Sequence, residues 1–427
     1  MKKHQTLNQL IFFNSNQELT MKLTTLKRVV LCGTGALFGA ASALADLPGI
    51  SAREAKIKAV EAKPAEATPA EKVKPSEMQA KVQLAILLDT SGSMSGLIEQ
   101  TKSQLWSIVN TFIDAKQNGK VPFVEVALYE YGNDGLKAEN HWVRQIEPLT
   151  RDLDKISQEL MSLRTVGGSE FCGAVITRAV GDLKWDSSPD TYKAIFVAGN
   201  EPFTQGPIDP AQACKGAIAR GVMVNTIHCG SENVGINTGW KSGAMLADGK
   251  FLTINHNKAV VHVDAPQDKE ILELNQTLNG TYVPIGKSGQ TRLENQTVQD
   301  EEALKIKGNA AQSRVRTKAS ANYFNGNWDL VDACTVKGFK WEGVKESDLP
   351  DEMKKMTLDE RKSYVAKKRT KRGECQKKIQ ELNKERSVFV QAKLKELGES
   401  EDSTLDRVVV ETVRQQAEAK GYKFEKR

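Results

Sequence analysis

The stretch "DTSGS" (89–93) places a carboxylate and two hydroxyls directly after the apolar run "VQLAILL" (82–88). Asp89, Ser91 and Ser93 occupy alternate positions of a turning loop, so their oxygens can converge on one point. Hard oxygen ligands of this kind suit Mg²⁺, which keeps part of its water shell. The pattern predicts a divalent-cation site. The alternative is a structural turn in which the same side chains cap the following helix.

A serine nucleophile agrees less well with these residues. The stretch "SGSMSG" (91–96) matches G-x-S-x-G only loosely, since Ser91 stands where a glycine should, and no triad order follows. His228 is the histidine placed nearest the loop, and no carboxylate is evident to orient it. The sequence contains no H-E-x-x-H, no Walker A loop and no C-x-x-C zinc pattern. We therefore expect a protein that is not an enzyme.

Apolar runs of strand length alternate with amphipathic segments from residue 82 to about 280. The predicted strands are 82–89, 123–132, 140–149, 192–199, 222–230 and 249–254, and the predicted helices are 97–116, 152–163, 173–185, 210–221 and 266–279. This alternation favours an α/β fold with a doubly wound, mostly parallel sheet covered by helices on both faces. Ligands of such sheets bind where the carboxyl ends of the strands meet. Three loops should converge there: the one after the first strand, "RTVGGSEFCG" (164–173) and "NEPFTQG" (200–206).

The motif D-x-S-x-S after an apolar strand resembles the metal-ion-dependent adhesion site (MIDAS) of von Willebrand factor type A (vWA) domains, which have a Rossmann-like fold. The resemblance covers roughly half of the chain, 82–280. It implies that Asp89, Ser91 and Ser93 surround Mg²⁺ or another divalent cation such as Mn²⁺ or Ca²⁺. The family adds a threonine after a Gly-Gly pair, where this chain has Ser169, with Thr165 as the weaker alternative. It also adds an aspartate from a third loop, where this chain has Asn200, with Glu201 one residue further on.

The same resemblance implies a protein partner. With a single carboxylate in the set, the ion would be underneutralised, and an acidic side chain of a partner would be a strong remaining ligand. The residues expected on the partner-binding rim are Glu170, Phe171, Phe203 and His228. A cryptic envelope hydrolase, with Glu170 and Glu201 as paired carboxylates, is a further alternative.

The first 45 residues have the pattern of a secretory signal peptide, with a second methionine at Met21, a basic start, a short apolar stretch and an A-x-A site that ends at Ala45. We expect translation to start at Met21 and cleavage to follow Ala45, which would place the protein in the periplasm or outside the cell. An uncleaved signal that anchors the chain in the inner membrane is the alternative. Residues 46–81 are rich in Ala, Lys, Glu and Pro and predict a linker. The remaining chain is near neutral in charge, so no nucleic-acid partner is expected.

Export would make the remaining cysteines disulfide candidates. They are Cys172, Cys214, Cys229, Cys334 and Cys375. Cys172 with Cys214 is the first choice for a bridge near the site, and Cys334 with Cys375 for a second one. Buried thiols are the alternative.

Residues 281–427 predict a charged, mainly helical C-terminal region with one apolar seam of the kind found in coiled coils. Its basic run, "KKRTKR" (367–372), could contact a membrane surface or envelope glycans, or be a solvated helix face. The stretches "GGSEFCG", "AGNEPFTQG" and "VNTIHCG" resemble a group of exported bacterial vWA proteins that carry such an extension. The alternative function is an envelope scaffold or assembly factor that acts through this region, with a vestigial metal site.

Overall fold

A computed structural model describes residues 80–95, 98–254, 263–306, 308–397 and 405–424. The predicted leader, nearly all of the predicted linker and the segment 255–262 lie outside these residues. No helix in this part of the chain is both long enough and apolar enough to cross a bilayer.

The centre of the fold is a six-stranded sheet. Its strands are β1 (Lys81–Asp89), β3 (Phe123–Tyr131), β4 (Val143–Thr150), β5 (Tyr192–Gly199), β6 (Met223–Cys229) and β7 (Phe251–Ile254), in the order β4-β3-β1-β5-β6-β7. Only β4, at one edge, runs antiparallel to its neighbour. β1 lies between β3 and β5 and is buried from Val82 to Asp89, which explains its continuous apolar sequence.

Helices cover both faces of this sheet. One face packs against α1 (Ile98–Thr111) and α2 (Leu153–Ser162). The other packs against α3 (Cys172–Asp182), α4 (Pro210–Ala219) and α6 (Trp240–Met245), and the short α5 (Glu232–Asn237) precedes α6. The side chains of β1 alternate between the two cores, with Leu84 and Ile86 on the first face and Ala85 and Leu87 on the second. The predicted α/β class and doubly wound sheet are confirmed.

A segment far along the chain completes the first of these cores. Helix α13 (Leu405–Glu418) contributes Val409, Val413 and Ala417 to the same cluster as Trp106 and Phe112. The chain then forms β8 (Lys423–Phe424), which pairs antiparallel with β2 (Ala115–Lys116). The sequence had predicted that the first helix continues to residue 116, but α1 ends at Thr111 and the next residues form this small sheet. Residues 405–424 therefore pack with the sheet, although the sequence had placed them in a separate C-terminal region.

The remaining elements form a second helical layer beside the first face. They are α7 (Asp268–Asn279), α8 (Gly289–Lys305), α9 (Ala310–Lys318), α10 (Leu330–Ala333), α11 (Asp351–Lys354) and the long α12 (Leu358–Glu396). In the predicted seam of α12, Cys375, Ile379 and Leu382 are buried against α7 and α9, whereas Leu397 is 62% exposed. In the basic run, Arg372 is buried and pairs with Asp329, so this residue belongs to the structure of the layer.

Buried ion pairs tie this layer to the sheet domain. Arg314 of α9 binds Asp154 of α2 at 2.7 Å and Asp300 of α8 at 2.7 Å, and Lys318 binds the second oxygen of Asp300 at 2.6 Å. Arg314 and Lys318 are almost fully buried. Buried charges are tolerated only when they are paired, so each of these contacts depends on the others.

Candidate metal centre

Asp89 is the last residue of β1, and its side chain is fully buried. Its Oδ1 accepts a hydrogen bond from the backbone N–H of Ser91 at 2.7 Å. Its Oδ2 is buried and has no hydrogen-bond partner among the described residues. A buried carboxylate oxygen without a partner is costly, so this atom is the first candidate to bind a cation.

Two glycines make room for Asp89. A Cβ added to Gly132, which follows β3, would lie 2.8 Å from Asp89 Oδ1. A Cβ added to Gly199, the last residue of β5, would lie 3.2 Å from Asp89 Cβ and 2.5 Å from the Tyr131 hydroxyl. Gly132 has a φ of +77°, a conformation that favours glycine. The ends of both neighbouring strands are thus shaped around this carboxylate.

The hydroxyl groups form a chain that runs from the first loop to the third. Ser91 Oγ lies 2.9 Å from Ser93 Oγ, and Ser93 Oγ donates to Asn200 Oδ1 at 3.0 Å. The sequence prediction that these three side chains meet at the carboxyl edge of the sheet therefore agrees with the structure. Thr165 instead shares a 2.9 Å hydrogen bond with Ser95 and is not part of this row of hydrogen-bonded oxygens.

The second loop brings Glu170 to the site. Glu170 is only 7% exposed, so its predicted role as a contact on an open rim is wrong in this structure. Its side chain lies against Gly132, and the Ser91 hydroxyl lies beside its carboxylate. The Gln205 amide, with its nitrogen turned toward the carboxylate, donates to it at 3.1 Å. Ser169, the expected second-loop hydroxyl, makes no side-chain hydrogen bond within the described part of the chain.

The surroundings of Asp89 and Glu170 disfavour the ionised forms of their carboxyl groups. Burial raises the pKa of Asp89 to about 7, and the nearby Glu170 carboxyl adds to this, while the backbone N–H and hydroxyl of Ser91 oppose it. Burial also raises the pKa of Glu170, as does the charge of Glu201. Desolvation and neighbouring negative charge both disfavour ionised carboxyls. A cation at this position would reverse both effects.

Two other expected rim residues are buried because they pack with Trp240. Phe203 is 1% exposed, and its ring centroid lies 5.1 Å from that of Trp240. His228 is also 1% exposed and lies 5.6 Å from the same ring. Burial lowers the pKa of His228, so the imidazole is neutral near pH 7. Phe171 is half-buried and packs edge-on against Trp142. Of the four predicted contact residues, only Phe171 retains partial exposure.

The structure contains no disulfide between described residues, and Cys172, Cys214, Cys334 and Cys375 are thiols. Cys172 and Cys214 share one core cluster, where Cys172 Sγ lies 3.5 Å from the Tyr131 hydroxyl. Cys229 lies in the core of the opposite face. Cys334 and Cys375 belong to different clusters of the helical layer, so the expected bridge between them is not formed.

The residues of the site satisfy the chemistry of a hard divalent cation. The set offers the buried Asp89 carboxylate, the Ser91 and Ser93 hydroxyls and the Asn200 amide oxygen. Such oxygen ligands suit Mg²⁺, which binds through one or two carboxylates and keeps several waters. Within the described residues, no three His, Cys, Asp or Glu side chains are grouped so that they could hold a metal ion. Beside the Asp89 carboxylate, this candidate set consists of hydroxyl and amide oxygens.

Comparison with known proteins gives likenesses of fold. No family model matches the sequence, and no curated protein matches it. Among solved structures, the chain is similar to the conserved hypothetical protein BatB from Bacteroides thetaiotaomicron, with 15% identity, a TM-score of 0.32 and coverage of 41% of this chain and 90% of that one. It is also similar to the SpRpn10 VWA domain, with 18% identity, a TM-score of 0.32 and coverage of 46% and 95%. A third is the vWF domain of the type V pili tip protein Mfa5 from Porphyromonas gingivalis, with 11% identity, a TM-score of 0.31 and coverage of 42% and 91%.

The mostly parallel sheet and the helices on both of its faces are those predicted from the sequence, whereas the order of the strands comes from the structure. The fold is a doubly wound α/β fold. The sequence did not predict the role of Gly132 or the buried position of Glu170. The sequence signal for the role of Gly132 is its position at the end of a predicted strand, in "LYEYGND" (128–134), and that strand neighbours the one that ends at Asp89.

Proposed function

We propose that this chain is a protein-interaction domain that binds its partner through a divalent cation held at Asp89, Ser91, Ser93 and Asn200. The observation that carries the proposal is the buried, unpartnered Oδ2 of Asp89 beside a chain of hydroxyl and amide oxygens. A bound cation would supply an open coordination position for an acidic side chain of the partner. Asp89 would hold the ion, and the hydroxyls would orient its water shell.

The proposed place of action is the periplasm or the cell exterior. The signal-peptide pattern of residues 1–45 supports it, with an inner-membrane anchor as the alternative. We propose a binding role and no enzymatic one, since the sequence around Asp89 matches the nucleophile motif G-x-S-x-G only loosely. His228 is buried in aromatic packing.

The scaffold alternative has one supporting observation. Val388 is 68% exposed and Leu397 is 62% exposed near the end of α12, so this end of the helix offers apolar side chains to a partner. A partner that binds there would be insensitive to chelators. Pull-down with the full chain, with and without EDTA, separates the two candidates, since EDTA abolishes capture only when the partner binds through the metal.

The direct test is isothermal titration calorimetry with Mg²⁺ and Mn²⁺ on the full chain. We expect binding by the wild type and none by Asp89→Asn, which removes the charge but keeps the shape. Ser93→Ala should weaken binding several-fold. Ser95→Ala is the matched control, because the Ser95 hydroxyl binds Gly92 and Thr165 outside the oxygen chain. Absence of binding by the wild type would refute the metal-dependent proposal.

A further inference from the structure

The carboxyl edge of the sheet carries more negative charge than the motif alone provides. Asp89 is the last residue of β1, Glu170 precedes α3 and Glu201 follows β5. In the described part of the chain, none of these three carboxylates forms an ion pair with Lys, Arg or His. By contrast, Glu130, the buried carboxylate near the end of β3, is paired with Arg144 at 2.5 Å.

The side chains of Asp89 and Glu170 both lie next to Gly132. A Cβ on Gly132 would lie 2.8 Å from Asp89 Oδ1 and 2.8 Å from Glu170 Cγ. The two side chains are therefore neighbours across a gap that only a residue without a side chain leaves open. This contact is independent of the serine motif, since Glu170 comes from the loop that precedes α3.

The partners of Glu170 are neutral. Ser91 and Gln205 offer it a hydroxyl and an amide, and Asp89 Oδ2 remains without a partner. Two buried carboxylates side by side without a positive charge are strongly unfavourable. A divalent cation would remove this cost, because two carboxylates neutralise its charge.

We propose that Glu170 is a ligand of the divalent cation and supplies the second negative charge that Asn200 does not. The inference rests on the proposed function of the site and extends it, since the second-loop ligand becomes a carboxylate instead of the hydroxyl of Ser169. It changes the expected role of the partner. With two carboxylates from the chain itself, the ion is neutralised before any partner binds, so the isolated protein holds its cation.

The test is the affinity of the full chain for Mn²⁺ alone, measured by calorimetry and by electron paramagnetic resonance of free Mn²⁺. We expect Glu170→Gln, which retains the shape and a hydrogen-bonding amide, to weaken Mn²⁺ binding at least tenfold. The double variant Glu170→Gln/Asn200→Asp returns one carboxylate to the third loop and should recover affinity to within about threefold of the wild type. Asp134→Asn is the matched control, because Asp134 is an exposed carboxylate beside Gly167 at the same edge.

The outcomes separate this inference from the proposed function. Wild-type binding that is lost in Asp89→Asn but unchanged in Glu170→Gln would overturn the role of Glu170 and leave the metal site standing. Absence of wild-type binding would overturn both. Thermal unfolding in EDTA monitors folding, and Glu170→Gln should then unfold at the wild-type temperature or above it, because a buried carboxylate without a cation has been removed. Loss of Mn²⁺ binding without rescue by Asn200→Asp would also contradict the proposal.

Discussion

At the scale of single residues, the site depends on what stands next to Asp89 as much as on the motif that contains it. The sequence predicts that Asp89, Ser91, Ser93 and Asn200 converge, because strand ends and loop spacing fix backbone positions. It does not predict whether Glu170 points to the surface or inward, because the space that admits its side chain is created by Gly132 on another strand. Orientation of this kind depends on tertiary packing.

Gly199 should be intolerant of a side chain. In Gly199→Ala, the added methyl group would meet the Tyr131 hydroxyl at 2.5 Å and Trp240 at 3.1 Å. We expect a loss of about 1–3 kcal/mol of stability, measured by urea denaturation, together with weaker Mg²⁺ binding as Asp89 is displaced. Gly181→Ala in α3 is the control, because a Cβ there meets nothing within 4 Å. Equal stability of the two variants would contradict the packing described here.

The stabilising effect of Mg²⁺ should grow with pH. Because burial raises the pKa of Asp89 to about 7, the folded state binds a proton more tightly than the unfolded chain, and metal-free protein loses stability as pH rises from about 4 to about 7. Mg²⁺ binds the ionised carboxylate, so it competes with this proton. We expect a larger Mg²⁺-induced increase in Tm at pH 8 than at pH 5.5, and no Mg²⁺ effect in Asp89→Asn at either pH. A shift independent of pH would count against Asp89 as the ligand.

At the scale of elements, helices α2, α8 and α9 are joined by charge instead of by a continuous apolar interface. Strand and helix positions follow from apolar periodicity, and most predicted elements agree with the structure. The partners of α8 and α9 could not be predicted, because the low apolar content of these helices gives no face to assign. Their positions are set by Arg314, Asp154 and Asp300, which are far apart in sequence.

Removal of the shared carboxylate should destabilise this layer strongly. Asp300→Asn leaves Arg314 and Lys318 buried with less compensation, at an expected loss of about 3 kcal/mol. Glu301→Gln, at the neighbouring exposed position, should change stability by less than about 0.5 kcal/mol. Burial alone would raise the pKa of Asp300, but Lys318 and Arg314 outweigh it and hold the pKa well below its usual value. The stability contributed by Asp300 is therefore lost progressively as pH falls below about 4, and the difference in stability between wild type and Asp300→Asn should shrink with each further decrease in pH.

At the scale of the whole molecule, the sheet domain is not a continuous stretch of sequence. Tyr192 donates to Gln416, Gln416 bonds with Asn225, and Tyr422 donates to the carbonyl of Lys81. The amphipathic pattern of α13 indicates a helix with one buried face. It does not indicate which surface covers that face. The sequence therefore assigned the helix to the C-terminal region, whereas in the structure it packs against the sheet.

Truncation of one buried valine in α13 should destabilise the sheet domain itself. Val413 is fully buried in the first core, whereas Val408 in the same helix is 37% exposed. We expect Val413→Ala to cost about 2 kcal/mol and Val408→Ala less than about 0.5 kcal/mol, both measured by urea denaturation. The fluorescence of Trp106, in the same core, should report the same transition. If Val413→Ala unfolds only the helical layer, the assignment of α13 to the sheet core fails.

The contact between Tyr422 and Lys81 spans 341 residues and constrains the order of events during biosynthesis. At about 5–20 residues per second, the ribosome needs roughly 20–70 s to proceed from the first strand to the tyrosine that completes its core. Throughout that interval the core on the first face lacks the side chains of α13 and Tyr422, so the nascent chain cannot complete its native fold. Such a chain stays available to chaperones and to any machinery that handles unfolded polypeptides, and its final collapse belongs to the time after synthesis of residue 422.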